Sequence, residues 1–434
     1  MAERIIFHID VNSAFLSWSA VKRLKEDPTA VDLRTIPSAV GGDRASRHGI
    51  ITAKSIPAKK YGVTTGEPVV NALEKCPDLV LVHSDFTTYR EYSHAFIEIL
   101  ADYSPLLEQV SIDEAYLDVT DYLNASVKKP GADLRQRAVD LAAEIRARIL
   151  RELSFTVNVG ISNNKLLAKM ASDFAKPDKT HTLFPEEVPA KMWPLPIREL
   201  YGCGKATAER LIQAEIRTIG DAAHADPDWL MAVTGEKSGQ YLWRSANGYG
   251  SDTVHPERDA AKSYSNETTM SSDITDDNYT MRMPEVLRHL SEKVAGRLAR
   301  DGVYAQTITV TLKTSDFRRH SRQTSLPEST HDAETIYQTA DRLARELVFG
   351  EHGIFTKGTT ARTDAADLGK IGIRLVGVGG SNLDTGTFRQ IGLMEWMQEK
   401  KVSEKEKQRR ARLDSMLAGV REKYGKDALH KGAN

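Results

Sequence analysis

Two apolar stretches that end in acidic residues place the strongest constraint on what this chain can fold into. Residues 4–10 are typical of a buried strand and end at Asp10, while residues 106–119 are typical of a strand, a turn and a second strand, with Asp113 and Glu114 at the turn. Strands of one sheet can bring these three carboxylates together, where they repel one another unless cations bind them. The sequence therefore predicts a two-metal site for phosphoryl transfer.

The residues around the acids argue against a simpler interpretation. An isolated Asp-Glu pair is usually a solvated turn. Here the run Ser-Ile-Asp-Glu-Ala-Tyr-Leu-Asp (residues 111–118) combines with Ile-Asp-Val-Asn-Ser-Ala-Phe (residues 9–15). In order and spacing, the two runs resemble the palm of the Y-family (translesion) DNA polymerases.

The resemblance implies roles for four residues. Asp10 and Asp113 would hold two Mg²⁺ ions, the carbonyl of Val11 would assist the nucleotide-side ion, and Glu114 would support the primer-side ion. Carboxylate and carbonyl oxygens are the ligands that hard divalent ions prefer. Asp10, Asp113 and Glu114 are thus the predicted catalytic residues.

Length and composition fit a soluble enzyme of several domains. The 434 residues suggest three or four domains, and the net charge of −1 does not by itself indicate nucleic-acid binding. No apolar run approaches the roughly 20 residues that span a bilayer. Cys76 and Cys203 stand far apart without metal-ligand spacing, and the N-terminus has no signal-peptide pattern. A reduced, cytoplasmic and monomeric protein is expected.

The order of apolar patterns predicts an α+β fold. Strands interleaved with helices extend to about residue 173, a helical region follows to residue 243, and a polar stretch at 247–261 is typical of a linker. The last region is predicted as strand 262–270, helix 283–300, strands 306–314 and 319–326, helix 333–348 and strand 370–378. This β-α-β-β-α-β order is also that of the little-finger domain in the Y family.

The resemblance therefore implies a multidomain right-hand polymerase. Its predicted parts are a palm (1–12 and 80–168), fingers (13–79), a helical thumb with a helix-hairpin-helix (169–246), a linker (247–261), a little finger (262–380), a clamp-binding segment (381–397) and a charged C-terminal helix or tail (398–434).

Three residues are predicted to bind the incoming nucleotide. Phe15, at the start of a helix, would ordinarily be a core residue, but the family places a bulky aromatic there under the sugar, where it blocks a 2′-hydroxyl. Lys59 lies in a segment that resembles the triphosphate-binding part of the fingers. The family usually has Tyr at the position of Ile56 and often Arg at that of Lys59, so this chain keeps the charge but loses the bidentate geometry. Lys169 corresponds to the family's triphosphate-binding lysine.

Two segments are predicted to contact DNA phosphates. Residues 200–211 resemble a helix-hairpin-helix, in which Gly202 and Gly204 allow a tight turn and Lys205 begins the second helix. Backbone N–H groups in such a turn can face a phosphate without reading the base sequence. Arg318, Arg319 and Arg322 lie at a strand boundary of the last domain; such a cluster is usually a solvated face, but in this domain order it is predicted to grip phosphates.

A short segment after the last strand resembles the bacterial sliding-clamp peptide. In that peptide a Gln and two apolar side chains fill pockets on the clamp, and here these are Gln390, Leu393 and Met394. The last position is often Phe, so Met394 departs from the pattern.

These features predict a Mg²⁺-dependent lesion-bypass DNA polymerase, error-prone and without proofreading. Its partners would be primer-template DNA, deoxynucleoside triphosphates and a sliding clamp, with no membrane. The main alternative is a catalytically weak or inactive damage-response adaptor of the same architecture; the presence of Asp10, Asp113 and Glu114 argues against it. A palm-like nucleotidyl cyclase would need neither the helix-hairpin-helix nor the last domain.

Overall fold

The computed structural model describes residues 3–42, 49–125, 133–257, 259–355, 371–386 and 404–424. The chain divides into two compact units, which we call the N-terminal unit (Met1–Ala260) and the C-terminal unit (Ala261–Asn434). The predicted clamp-binding residues Gln390, Leu393 and Met394 lie outside the described residues.

The N-terminal unit alternates strands and helices before it becomes helical. Its strands are β1 (Ile6–Val11), β2 (Ser38–Gly41), β3 (Ile51–Lys54), β4 (Val80–Val82), β5 (Leu107–Gln109), β6 (Glu114–Asp118), β7 (Val157–Ser162) and β8 (Thr180–Thr182). Its helices are α1 (Ala14–Glu26), α2 (Ile56–Lys60), α3 (Val69–Lys75), α4 (Phe86–Ala101), α5 (Thr120–Ala125), α6 (Leu134–Leu153), α7 (Lys165–Asp173), α8 (Val188–Lys191), α9 (Lys205–Gln213), α10 (Ile219–His224), α11 (Pro227–Thr234) and α12 (Glu236–Ala246).

A five-stranded sheet of order β5-β6-β1-β7-β8 forms the centre of the N-terminal unit. Strand β1 lies within the sheet, buried on both faces, and it pairs antiparallel with β6 and β7. On one face Phe7 and Ile9 pack in a core with Trp18 of α1, Phe96 of α4 and Ile145 of α6. The acidic end of β1 is thereby held on a rigid support.

Helix α7 covers the other face of this sheet at unusually close range. A Cβ atom on Gly160 of β7 would lie 2.0 Å from the carbonyl oxygen of Ala168 and 2.4 Å from the nitrogen of Ser172. Only glycine therefore permits this approach of backbone to backbone. The helix begins where the Asn164 side chain accepts a hydrogen bond from the N–H of Leu167. These contacts place Lys169 above the acidic end of β1.

The N-terminal unit also contains a smaller, three-stranded sheet of order β3-β2-β4. The sequence predicts residues 80–82 as the start of the palm, whereas β4 pairs in parallel with β2, from Ser38 opposite Val80 to Val40 opposite Val82. The reason is burial: Leu81 of β4 packs against the small core formed by Ala39, Ile51 and the helix residue Ala72. Residues 80–82 thus complete the small sheet.

The segment predicted as a linker is partly attached to the N-terminal unit. Asn164 donates to the carbonyl of Gly248, and the N–H of Lys165 donates to the carbonyl of Ser251. Val254 is buried against Tyr116 of β6 and its neighbours. Residues 248–254 therefore follow the surface of this unit and are not a free tether.

The C-terminal unit has the predicted β-α-β-β-α-β order. Its elements are β9 (Ser263–Ile274), α13 (Tyr279–Arg300), β10 (Tyr304–Thr314), β11 (Arg319–Thr330), α14 (Ala333–Phe349) and β12 (Ile373–Asp384), followed by the charged helix α15 (Glu404–Tyr424). The sheet order is β11-β10-β12-β9. Helices α13 and α14 cover the face that carries Ile308, Val310 and Leu312. The other face carries small and polar side chains.

No described helix is long and apolar enough to cross a membrane. Cys76 and Cys203 are both free and buried.

Candidate active site

The antiparallel pairing of β1 and β6 brings the three predicted acids to one place. Asp10 lies directly opposite Glu114, and the N–H of Val11 donates to the carbonyl of Asp113 at 2.9 Å. The hydroxyl of Ser111 donates to the Asp113 carboxylate at 2.6 Å and holds that side chain in the turn. Two segments about a hundred positions apart thus form one acidic centre, as the motif predicts.

Two lysines balance part of the negative charge of this acidic centre. The Nζ atom of Lys169 lies 2.8 Å from Glu114 and 3.5 Å from Asp10, and the Nζ atom of Lys176 lies 2.8 Å from the other oxygen of Asp10. Asp173 receives both lysines as well, at 3.6 and 2.9 Å. Among the described residues no three acidic, histidine or cysteine side chains stand in a ready-made metal geometry. In this arrangement the lysines serve as the counter-ions of the acids.

The pKa shifts divide the acids into two kinds. Burial, together with the nearby charges of Asp10 and Glu114, raises the pKa of Asp113, although the Ser111 hydrogen bond opposes the shift. Contact with His8 and with Lys169 lowers the pKa of Glu114 to about 2 against the effect of burial. Burial alone would lower the pKa of Lys169, but the hydrogen bond to Glu114 and the charges of Asp173 and Asp10 raise it to about 12. Within one acidic centre, the pKa of Asp113 is thus raised and that of Glu114 is lowered.

Two residues of this centre were not predicted from the sequence. His8 is fully buried beneath Glu114, with Nε2 at 3.3 Å from the carboxylate and Nδ1 at 2.8 Å from the Ser172 hydroxyl. Burial lowers its pKa and favours the neutral imidazole. Its signal was available, because His8 and Asp10 are two residues apart in a strand and share a face. Lys176 had only a weak signal, seven residues beyond Lys169 and past the end of α7.

Phe15, five residues after Asp10 in the chain, packs on a group of aromatic side chains. Its ring stacks on Tyr89 of α4 with centroids 4.6 Å apart and planes at 15°, and the edges of Trp18 and Phe86 lie near it. The Tyr89 hydroxyl is in turn hydrogen-bonded to Ser19 at 2.9 Å. Phe15 is only partly buried, so one side of a rigidly held ring remains accessible.

The residues predicted to lie in the fingers belong to a short helix that follows β3. Ile56 and Lys59 belong to the short helix α2 and are both exposed. The helix begins at Ser55, whose side chain accepts from the N–H of Ala58. Burial and the charge of Lys59 lower the pKa of the neighbouring Lys54. The structure therefore places a positively charged pair at this end of the small sheet.

The predicted hairpin is present between Leu200 and helix α9. Gly202 has φ of +85°, a conformation that favours glycine, and Gly204 is the N-cap of α9 without a side-chain cap. The N–H groups of the first turn of α9 are then left for another acceptor. Lys205 is the first helical residue and is exposed, with Glu209 at 3.7 Å.

The three arginines of the C-terminal unit do not form one patch. Arg319 lies opposite Lys313 and reaches across the open face to Glu267 at 2.9 Å. Arg322 lies opposite the buried Val310 and pairs at 2.8 Å with Glu346 of α14. Arg318 stays in the turn, 3.3 Å from Asp316. Side chains three positions apart in a strand point to opposite faces, which separates Arg319 from Arg322.

Family models match most of the chain. The impB/mucB/samB family matches residues 9–173, the C-terminal domain of the same family matches 261–393, and a helix-hairpin-helix motif of the family matches 185–216. The last match includes the hairpin glycines.

Known proteins agree with these matches. The chain is 40% identical to DNA polymerase IV of Clostridium acetobutylicum, over 98% of this chain and 97% of the relative. It is 34% identical to DNA polymerase IV 1 of Bacillus subtilis, over 99% and 93%. A solved chimera of Y-family DNA polymerases has the same fold, with a TM-score of 0.69 at 24% identity over 87% of this chain and 98% of that one. The chain belongs to the Y family of DNA polymerases, the impB/mucB/samB family.

Proposed function

We propose that this protein is a DNA-directed DNA polymerase of the translesion type that adds deoxynucleotides to a primer 3′-hydroxyl with the help of two Mg²⁺ ions. The observation that carries the proposal is the meeting of Asp10, Asp113 and Glu114 at the paired ends of β1 and β6. The relatives named DNA polymerase IV, which the chain matches over nearly its whole length, support the reaction class.

The residues of the acidic centre suit hard divalent ions. Asp10, Asp113, Glu114 and the carbonyl of Val11 are all oxygen donors, and burial together with the charges of Asp10 and Glu114 raises the pKa of Asp113. When bound, such ions activate the attacking hydroxyl and stabilise the leaving oxygens. Asp10 and Asp113 would hold the two ions, and Glu114 would support the primer side.

We propose that Lys169 and Lys176 leave the carboxylates and bind the triphosphate when a nucleotide enters. Lys169 and Lys176 balance the acids in the free protein, at 2.8 Å from Glu114 and Asp10 respectively. A nucleotide triphosphate brings negative charge, which attracts ammonium groups away from carboxylates that have gained metal ions. Lys169, Lys176 and the exposed Lys59 are therefore proposed to bind the triphosphate. His8 stays beneath Glu114 and fixes that carboxylate by contact from below.

Phe15 is proposed to select deoxyribose. The Tyr89 ring behind it prevents the Phe15 ring from retreating when a sugar lies against its accessible side. A 2′-hydroxyl would then meet a fixed aromatic surface. Discrimination arises from this steric conflict and needs no hydrogen bond.

DNA is proposed to contact the hairpin and the C-terminal unit. The uncapped start of α9, with Gly202, Gly204 and Lys205, suits a phosphate, and Arg318, Arg319 and Arg322 would contact others. A sliding clamp is proposed to bind through Gln390, Leu393 and Met394, and the protein is proposed to act as a cytoplasmic monomer.

The proposed domains follow the predicted ones with one change. Since β4 completes the small sheet, the fingers are assigned to residues 13–82 and the palm to 1–12 and 83–168, while the thumb (169–246), linker (247–261) and little finger (262–380) are unchanged. Helix α7 (Lys165–Asp173) crosses the boundary between palm and thumb, and β12 (Ile373–Asp384) runs past the end of the little finger. Synthesis without proofreading, and hence an error-prone enzyme, is proposed from the family resemblance.

Primer extension on a gapped template with Mg²⁺ tests the proposal. The wild-type chain should add nucleotides according to the template, and Asp113→Ala should add none while it still binds DNA. An adaptor would extend no primer in either form. A nucleotidyl cyclase would convert free nucleotide without a template, and either result would overturn the proposal.

A further inference from the structure

Tyr241 of α12 closes over the turn of the hairpin. Its hydroxyl donates to the carbonyl of Tyr201 at 3.1 Å. Its ring lies so close to Gly202 that a Cβ atom there would be 2.6 Å from Cε1, 2.7 Å from the hydroxyl oxygen and 2.9 Å from Cζ. Two features thus favour glycine at position 202: the positive φ of this residue and the Tyr241 ring above it.

The same turn is held from a second side by α7. The N–H of Tyr201 donates to the sulfur of Met170 at 3.3 Å, and Met170 directly follows Lys169. The N–H of Cys203 closes the turn on the carbonyl of Leu200 at 2.9 Å. Both Leu200 and Cys203 are buried in the helical core. The turn is therefore held by contacts with both α7 and α12.

Tyr241 is only partly buried, although it makes these contacts. Its exposed fraction is 41%, more than expected for a side chain whose only role is to fill the core. Burial of its inner part raises the pKa of the hydroxyl, which stays protonated and can donate. The ring thus covers the turn from outside and does not anchor the helical core.

We propose that Tyr241 is a positioning residue for the DNA contact of the hairpin. It fixes the turn at residues 201–204 so that the N–H groups at the start of α9 face a phosphate. The inference rests on the proposed function, because it assumes that the hairpin binds DNA. Without the ring, the turn samples more conformations, and their entropy must be lost again when DNA binds.

Two substitutions separate the contributions of the hydroxyl and of the ring. Tyr241→Phe removes one hydrogen bond and should raise the Kd for primer-template about 3-fold; Tyr241→Ala should raise it about 10-fold. The Kd is measured by fluorescence anisotropy over a series of salt concentrations. For Tyr241→Ala the slope of log Kd against log salt should stay at the wild-type value, because the N–H groups of the turn carry no charge and release no counterion.

Steady-state kinetics distinguish positioning from general stability. The KM for primer-template should rise in both variants, while the KM for nucleotide and the kcat at saturating DNA stay unchanged. A purely structural role would instead lower the melting temperature and reduce the active fraction. Should Tyr241→Ala not fold, Tyr241→Phe alone decides. Tyr249→Phe and Tyr249→Ala, at an exposed tyrosine outside the hairpin, are the matched controls and should change nothing.

Lys205→Glu separates failure of this inference from failure of the hairpin contact itself. Weaker DNA binding by both Lys205→Glu and the Tyr241 variants supports the inference. Weaker binding by Lys205→Glu with a wild-type Kd in the Tyr241 variants overturns it and leaves the hairpin contact in place. Wild-type binding by all of them overturns both.

Discussion

The acidic centre of the N-terminal unit and the open sheet face of the C-terminal unit both pair acids with bases, but at different depths. Side-chain exposure is 13% for Lys169, 16% for Asp10 and 21% for Glu114. It is 60% for Arg319 and 48% for Glu267. The same kind of contact therefore lies in two different dielectric surroundings.

The difference shows which ion pairs have a fixed geometry and which can exchange one partner for another. A poorly hydrated pair fixes its geometry, because removal of one partner leaves the other without compensation. A hydrated pair contributes little and can be replaced by another anion at small cost. The acidic centre thus suits ions that must be placed exactly where chemistry occurs, whereas Arg319 suits a phosphate backbone that slides past.

The largest expected effect comes from the acid with the raised pKa. Asp113→Ala should lower the rate of single-nucleotide insertion by about 1,000-fold or more, because it removes a proposed metal ligand from the acidic centre. DNA affinity should stay within about twofold of wild type, since surface contacts are untouched. Rapid-quench kinetics and anisotropy measure the two quantities. Full activity in Asp113→Ala would show that the acidic centre is not catalytic.

The second prediction concerns Phe15, an apolar residue of the N-terminal unit. Phe15→Ala should reduce discrimination against ribonucleotides by roughly 10- to 100-fold, because a fixed steric conflict is removed. The ratio of kcat/KM for deoxy- and ribonucleotide insertion is the measurement. Phe86→Ala, at an exposed ring beside it, is the control and should leave the ratio near wild type. Equal ratios in all three proteins would remove Phe15 from sugar selection.

The third prediction concerns the free energy of unfolding and compares the poorly hydrated Lys169 with the well hydrated Arg319. Lys169→Met leaves Glu114 and Asp10 poorly compensated and should lower the free energy of unfolding by about 2 kcal/mol without metal. Adding Glu114→Gln should recover part of this loss, since the two residues are coupled. Arg319→Ala should change stability by about 0.5 kcal/mol or less. Urea unfolding in EDTA measures all three, and equal losses for Lys169→Met and Arg319→Ala would break the comparison.

The smallest effects are expected on the open sheet face. Arg319→Ala should weaken primer-template binding about 3-fold and reduce the salt slope by about 0.9. Glu267→Gln, which releases Arg319, should strengthen binding about 2-fold. Arg322→Ala should have less effect, because Arg322 is turned towards Glu346 on the helix side. An opposite order of Arg319 and Arg322 would mean that DNA binds elsewhere on this unit.

Local sequence patterns predicted much of the fold. The strand before Asp10, the helix at 135–153 and the β-α-β-β-α-β order were all found within a few residues of the expected bounds. Such features follow from periodicity and capping, which are properties of neighbouring residues. The same patterns did not reveal that β4 pairs with β2, because a three-residue strand has no periodicity of its own.

The sequence by itself determined the family, the three acids and the hairpin glycines, since each is a short motif whose spacing survives without knowledge of the fold. Only the tertiary structure decided what surrounds them: Lys176 lies 166 positions from Asp10, and Arg319 lies 52 positions from Glu267. It also decided that Tyr241 stands over Gly202. Contacts of this range depend on how sheets and helices pack, and no local pattern records which distant side chain will compensate a charge or cover a turn.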